Sequence, residues 1–306
     1  MNEAALLIAA TLNAGTPLAI AGLGLLINEK AGVVNLGAEG MMLVAAVAGF
    51  AVALTTGNAP LAFLAGAAAG AALAAVFGVL VIWGAANQYA TGLALSLFGV
   101  GLSAFVGQPY VGKSLAPSAP LAIPFLADLP FFGPALFRQH WMVYVGIVLA
   151  AAVAWFLYRT RAGLVLRGIG EAPESAHALG HAVRLIRFGA VLAGGAACGI
   201  GGAYLAIVYT PLWVEGVTAG RGWIALALTV FATWRPARVL VGAYLFGGVT
   251  MLQFDLQARG VQVPSQLLSM LPYLATIVVL ALISRNPAWI RINMPASLGK
   301  PFVPSR

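Results

Sequence analysis

About nine stretches of this chain are apolar enough to cross a bilayer as helix, and no other feature narrows its possible folds so far. Six of them, residues 6–27, 38–54, 59–83, 88–107, 139–158 and 188–208, are each followed by polar or turn-forming sequence. Runs of roughly 20 residues at about 1.5 Å per residue cover the ~30 Å of hydrocarbon in a bilayer. Shorter or interrupted runs follow at 222–234, 238–254 and 267–284. The chain is 61% hydrophobic and 8% charged, with a mean hydropathy of +0.96. Soluble domains average about 25% charged residues, so this chain has too little polar surface for water and takes lipid as its solvent. The expected fold is all-α: one polytopic membrane helix bundle over residues 1–306, with about nine transmembrane helices (roughly 8–10). The first run starts near Ala4 with no basic segment before it, which reads as a retained helix and not a cleaved signal.

The longest basic interruption, residues 159–187, sets the topology. Placed in the cytoplasm, it puts Lys30, Arg235, Arg238, Arg285, Arg291, Lys300 and Arg306 inside as well, and leaves Lys113, Arg138, Arg221 and Arg259 outside. That bias follows the positive-inside rule and predicts an outside N-terminus and a cytoplasmic C-terminus. The segments are then an extracytoplasmic cap at 108–138, a cytoplasmic loop at 159–187 and a cytoplasmic tail at 285–306. The net charge of +8 is spread through these loops, so it makes no folded basic patch for nucleic acid. Cys198, the single cysteine, lies in an apolar run and reads as core packing.

Local signals add detail. Small residues at four-residue spacing, Gly66/Gly70, Gly99/Ser103/Gly107 and Gly195/Gly199, allow close helix packing. Pro17 and Pro272 fall inside spans and predict kinks. The cap contains Gly107-Gln-Pro-Tyr-Val-Gly-Lys-Ser114, a match to the phosphate-loop pattern. A membrane helix precedes it, a proline-rich run follows, and Pro109 has no amide hydrogen to offer a phosphate. It therefore reads as a chance match.

Within the loop 159–187, Pro173 suits a first helical turn, Glu171 and Glu174 favour the positive end, and Gly180 suits a left-handed stop. A helix of about two turns is expected from Ala172 to Leu179. His177 and His181 stand four residues apart, but no third ligand lies nearby, so no metal site is expected. Between the first two spans, Asn35 and Glu39 stand among Gly32, Gly37 and Gly40. Glu39 has two readings: a first-turn acid favoured by the helix dipole, or a polar gate. Asn35, Glu39, Asn87, Gln88, Ser96 and Thr229 are the polar residues assigned to a substrate pathway, with Trp83, Tyr89 and Trp223 available for stacking. Gly220-Arg-Gly222 faintly echoes Gly37-Ala-Glu-Gly40 and marks a candidate internal repeat.

GVVNLGAEGMML (residues 32–43 with their neighbours), GIGEAPESAHALG (168–180) and VPSQLLSMLPYLATIVVL (263–280) occur in this order. Together they resemble the permease subunits of bacterial ATP-driven importers of the branched-chain amino acid, ribose and nucleoside family, most of all the nucleoside and simple-sugar members. The likeness runs from about Thr16 past Pro272 and departs from the pattern at Asn28-Glu29-Lys30. It implies a permease of the bacterial inner membrane that moves nucleosides or related sugars or bases by alternating access. Its implied partners are a second permease forming a heterodimer, cytosolic ABC ATPases that carry the ATP and magnesium, and an extracytoplasmic substrate-binding lipoprotein. No cofactor is expected on this chain. The resemblance also makes Arg167, Gly170, Glu171, Ala172, Pro173, Glu174, Ala176 and Gly180 the coupling element that docks on the ATPase. The competing reading is an ion-coupled secondary transporter using Glu39. Such transporters carry several intramembrane ionisable groups, and Glu39 is the clear candidate here. No HExxH or nucleophile–base pattern points to an enzyme.

Overall fold

The computed structural model describes residues 3–260 and 293–303, with isolated positions between them. Among the described residues, seven helices are long and apolar enough to cross a membrane. They are α1 (Glu3–Lys30), α2 (Ala38–Thr56), α3 with its π-helical extension (Ala59–Trp83), α4 (Gln88–Gly107), α5 (Trp141–Arg159), α8 (Val183–Tyr204, extended to Tyr209) and α10 (Pro236–Ala258). Shorter helices α6 (Arg161–Glu171), α7 (Pro173–Ala178) and α9 (Arg221–Phe231) complete the set. Pro17 is carried within a continuous α1. Pro272 and most of the run 267–284 lie outside the described residues, as do Arg285, Arg291 and Arg306.

Helix starts follow local chemistry. Asn58 caps α3 by accepting from the Leu61 amide, Asn87 caps α4 by accepting from Tyr89 and Ala90, and the Thr160 hydroxyl accepts from Gly163 at the start of α6. Buried residues line most of α1, α2 and α8, while α4 and α5 turn large side chains such as Leu97, Phe105, Val148 and Trp155 outward. The small-residue spacings explain one interface directly. A methyl group on Gly70 would collide with the Gly195 carbonyl, and one on Gly199 with the Gly66 carbonyl. The α3 and α8 backbones therefore touch through both glycine pairs, gaining dispersion contact where lipid offers no hydrophobic drive.

The loops sort onto two faces. Residues 31–37, the turn before α4, the segment α6–α7 and the tail Asn293–Val303 share one face, tied by Gln88, Arg187 and Ser297. Lys30, Arg159, Arg161, Arg167, Arg184, Arg235, Arg238 and Lys300 belong to that face, here termed inner. The opposite face carries a two-stranded hairpin, β1 (Leu121–Ala122) with β2 (Arg138–Gln139), and a bridge between Ser114 and Leu212.

Two helices begin inside the bundle. Val34 meets Gln88 at the inner end of α4, whereas Gly40 packs against Gly99. The rise along α4 between those positions is about 16 Å at 1.5 Å per residue, so α2 starts near mid-depth. The backbone from 33 to 36 climbs there unwound. From the outer face, 210–220 descends without regular helix, and α9 starts at the same level. The seventh apolar run is thus half a helix. Its eleven residues cover only about 16 Å.

Candidate functional site

The starts of the full-length α2 and the half-helix α9 meet at Glu39. Its Oε1 accepts from the Thr218 hydroxyl at 2.5 Å and from the Gly220 amide at 2.9 Å, and its Oε2 accepts from the Gly222 amide at 2.6 Å. The first turn of any helix carries unbonded amides and a partial positive charge. Glu39 belongs to the first turn of α2, but all three of its donors lie on Thr218–Gly222, so its carboxylate caps the start of α9 from across the joint. Only 7% of it is exposed. A β-carbon on Gly222 would stand 2.5 Å from the Glu39 Cα and N, so the two backbones meet without room for a side chain. The echo between Gly37-Ala-Glu-Gly40 and Gly220-Arg-Gly222 thus corresponds to two helix starts at one depth.

Arg221 stands at this level and not in the outer loop where its position in the sequence suggested. Its guanidinium donates to the Thr218 carbonyl at 3.2 Å and lies over the Tyr209 ring at 4.9 Å, directed to the outer end of α8. The Glu39 carboxylate makes no ion pair among the described residues.

The other polar residues hold the unwound segment that leads to the joint. Asn35 Oδ1 accepts from the Gly37 amide at 2.9 Å. Gln88 Oε1 accepts from Val34 at 2.8 Å, and the Ser96 hydroxyl donates to the Leu36 carbonyl at 2.8 Å. Asn87 is the exposed cap of α4. Thr229 donates to Glu29 Oε2 at 2.9 Å, and the Trp234 indole donates to the same oxygen.

Glu29 is the functional-looking residue that sequence reasoning passed over. It is 3% exposed, at the inner end of α1, and it ties the C-terminal end of α9. Glu39 is therefore not the single buried acid of the spans. The signal available was the departure Asn28-Glu29-Lys30 itself, but its position beside Lys30 at a run's end reads as a solvated pair. In the structure Lys30 instead donates to the Asn293 carbonyl at 2.7 Å, leaving Glu29 to face α9. The half-helix is thus held by a glutamate at each end.

On the inner face α6 and α7 form an elbow. Gly170 accepts from the Ser297 amide and hydroxyl, at 3.0 and 2.6 Å, and Glu171 Oε2 accepts from the Ala296 amide at 3.3 Å. Arg167 stacks over Tyr158 at 5.1 Å. After Ala172 the chain turns into α7, with Pro173 in its first turn and Glu174 exposed. Ala176 is buried against Ile169, Val183 and Phe302. Gly180 has φ +87° and donates to the His177 carbonyl, ending the helix left-handed.

On the outer face the phosphate-loop look-alike continues α4 into a short turn. Lys113 lies over the Tyr110 ring at 5.6 Å, Ser114 bridges to Leu212, and Gly107 abuts Trp213. Its amides do not converge on a cradle: the Val111 and Lys113 amides donate back into the turn. Nearby, His140 caps α5 through Nδ1 on the Met142 amide and packs among Phe63, Trp141 and Tyr204.

This architecture of interrupted helices meeting inside a bundle, with a polar elbow on one face, is that of a transport subunit. Residues 7–283 match the family described as the permease component of the branched-chain amino acid transport system. The chain is 43% identical to the putative glucose ABC transporter permease protein TsgC13 of Haloferax volcanii, over 97% of each chain. It is 32% identical to the nucleoside ABC transporter permease protein NupC of Lactococcus lactis, over 92% of this chain and 93% of that one. It is 30% identical to the guanosine ABC transporter permease protein NupQ of Bacillus subtilis, over 97% and 96%. The likeness extends through α2, α9 and the elbow, and this multi-pass membrane chain belongs to the permease-component family of branched-chain amino acid transport systems.

Proposed function

We propose that the chain is the permease subunit of an ATP-driven importer for nucleosides or simple sugars in a bacterial cytoplasmic membrane. ATP and magnesium are handled on separate cytosolic ABC subunits docked at the elbow α6–α7, centred on Glu171, Pro173 and Ala176. A second permease completes the pathway, and an extracytoplasmic lipoprotein delivers the substrate.

The observation that carries this reading is end-to-end similarity, over at least nine-tenths of the chain, to permeases named for nucleosides and glucose. The state of Glu39 supports it over ion coupling. A carboxylate that binds a driving ion needs free lone pairs facing a pathway, and Glu39 gives three of its roughly four acceptor sites to protein donors.

In this reading Asn35, Glu39, Gln88, Ser96 and Thr229 frame the pathway by holding the broken segments, and Asn87 caps the helix beside it. Alternating access then requires the α2–α9 pair to move as a unit against α4. A substrate delivered by a binding protein needs only a weak site in the permease.

The test is uptake of labelled guanosine, ribose and glucose into proteoliposomes holding the complete transporter and its binding protein. ATP-dependent uptake of at least one of them, unaffected by a protonophore, is expected. Uptake that persists without the ATPase and collapses with the proton gradient would overturn the proposal.

A further inference from the structure

The tail after the last apolar run has no role in the reading above, yet it is bonded to four separate elements. The Ser297 amide and hydroxyl donate to Gly170 at the end of α6, and the Gly299 amide donates to the Gly32 carbonyl after α1. Arg187 of α8 donates to the Ser297 hydroxyl at 2.9 Å and the Lys300 carbonyl at 3.2 Å. Gln88 of α4 reaches the Lys300 carbonyl at 3.5 Å while holding Val34 through its other amide atom. Arg187 itself is 2% exposed, an arginine buried to fasten a tail. A segment that needed only to leave the membrane would have no use for that desolvated cation.

The tail also shapes the surface. Phe302 is buried beneath α7 in a cluster with Ile169, Ala176 and Val183, and the His177 ring meets it edge-on at 5.7 Å. Phe302 forms one wall of an open groove whose polar lining is His177, His181 and Arg184, with no Asp or Glu lining it. Around the groove Leu179 is 79% exposed and Val303 64%, both outside the membrane-crossing helices. Large apolar side chains this exposed beyond the spans mark an interaction site.

Resting on the reading of α6–α7 as the ATPase-docking elbow, we propose that the C-terminal tail supplies the second half of that docking surface. Its occupant is the cytosolic ATPase subunit, entering with an apolar projection that carries a carboxylate for Arg184, the fixed cation of the groove lining. Docking is then bipartite. Closure of the ATPase acts on α7 directly and, through Gly299 and Lys300, on the segment 31–37 that leads into α2 and Glu39.

The experiment is co-purification of the ATPase with the permease from membranes expressing the complete transporter, together with ATP-driven uptake. Phe302→Ala and Arg184→Glu are each expected to lower retained ATPase at least about fivefold, the second more strongly at low salt. Glu171→Ala combined with Pro173→Ala serves as the control for the elbow. If that control keeps association and uptake, the elbow reading fails. If the control loses both while Phe302→Ala and Arg184→Glu keep them, the tail proposal is overturned and the elbow reading stands.

A further measurement avoids any fault in folding. In a Cys198→Ala background, Val303→Cys is labelled by a maleimide in inside-out vesicles with and without the ATPase bound. Protection of about fivefold or more is expected, and equal labelling rates would overturn the proposal.

Discussion

Replacing Glu39 tests the joint between the starts of α2 and α9 most directly. In Glu39→Ala the Gly220 and Gly222 amides and the Thr218 hydroxyl lose their acceptor at a site with little access to water. A buried donor left unsatisfied costs about 1–3 kcal/mol, and bonds to a charged acceptor are worth about 1.5–3 kcal/mol each. Shared relaxation makes the terms non-additive, so about 3–5 kcal/mol is the expected loss for the joint. Glu39→Gln keeps one acceptor oxygen but turns an NH2 group towards a donor, and about 1–3 kcal/mol is expected.

Opening of the start of α9 then becomes more frequent by about one decade per 1.4 kcal/mol, roughly 10-fold in the glutamine variant and 100-fold or more in the alanine variant. Hydrogen–deuterium exchange of a peptide covering Thr218–Gly222, in nanodiscs, reads this population. The exchange at α3 and α8, packed through their glycines, serves as the reference. Unchanged exchange at Gly220 and Gly222 in both variants would refute the assignment of Glu39 as their shared cap. A rise everywhere in the bundle would refute its being a local joint.

Two other perturbations separate the remaining assignments. Gly199→Leu drives a side chain into the Gly66 backbone, so the membrane-inserted level and the monomeric elution peak in detergent should both fall, whereas the same change at the open Gly189 should leave them intact. Lys113→Ala should leave the ATP dependence of uptake unchanged, since its amine lies over Tyr110 and not in a ring of converging amides; loss of ATP dependence would revive the phosphate-loop interpretation.

The long spans, their order and the division of charge between two faces were legible in the sequence because they depend on local, additive quantities. A run of apolar residues must be helical in lipid whatever it packs against, and a proline or a terminal glycine acts within one turn. The glycine pairs on α3 and α8 could be read as small-residue spacings, although not as partners of one another. Family resemblance reached further than composition because motifs in order encode a common ancestry that no hydropathy profile contains.

Where the charges end is a matter of packing, not of local sequence. Glu29 and Glu39 look alike in sequence as acids near a membrane edge. One is held by Thr229 and Trp234 and the other by two amides and a hydroxyl, all roughly 200 residues away along the chain. Arg221 reads as a loop cation until the descent of 210–220 brings it to mid-depth, and Arg187 reads as an inner-face anchor until the tail covers it. A buried ionisable group is tolerable only if donors or acceptors converge on it, and convergence is a property of the packed chain. Hydropathy alone places this protein in lipid as a helical bundle. Folding brings the starts of α2 and α9 together at one carboxylate.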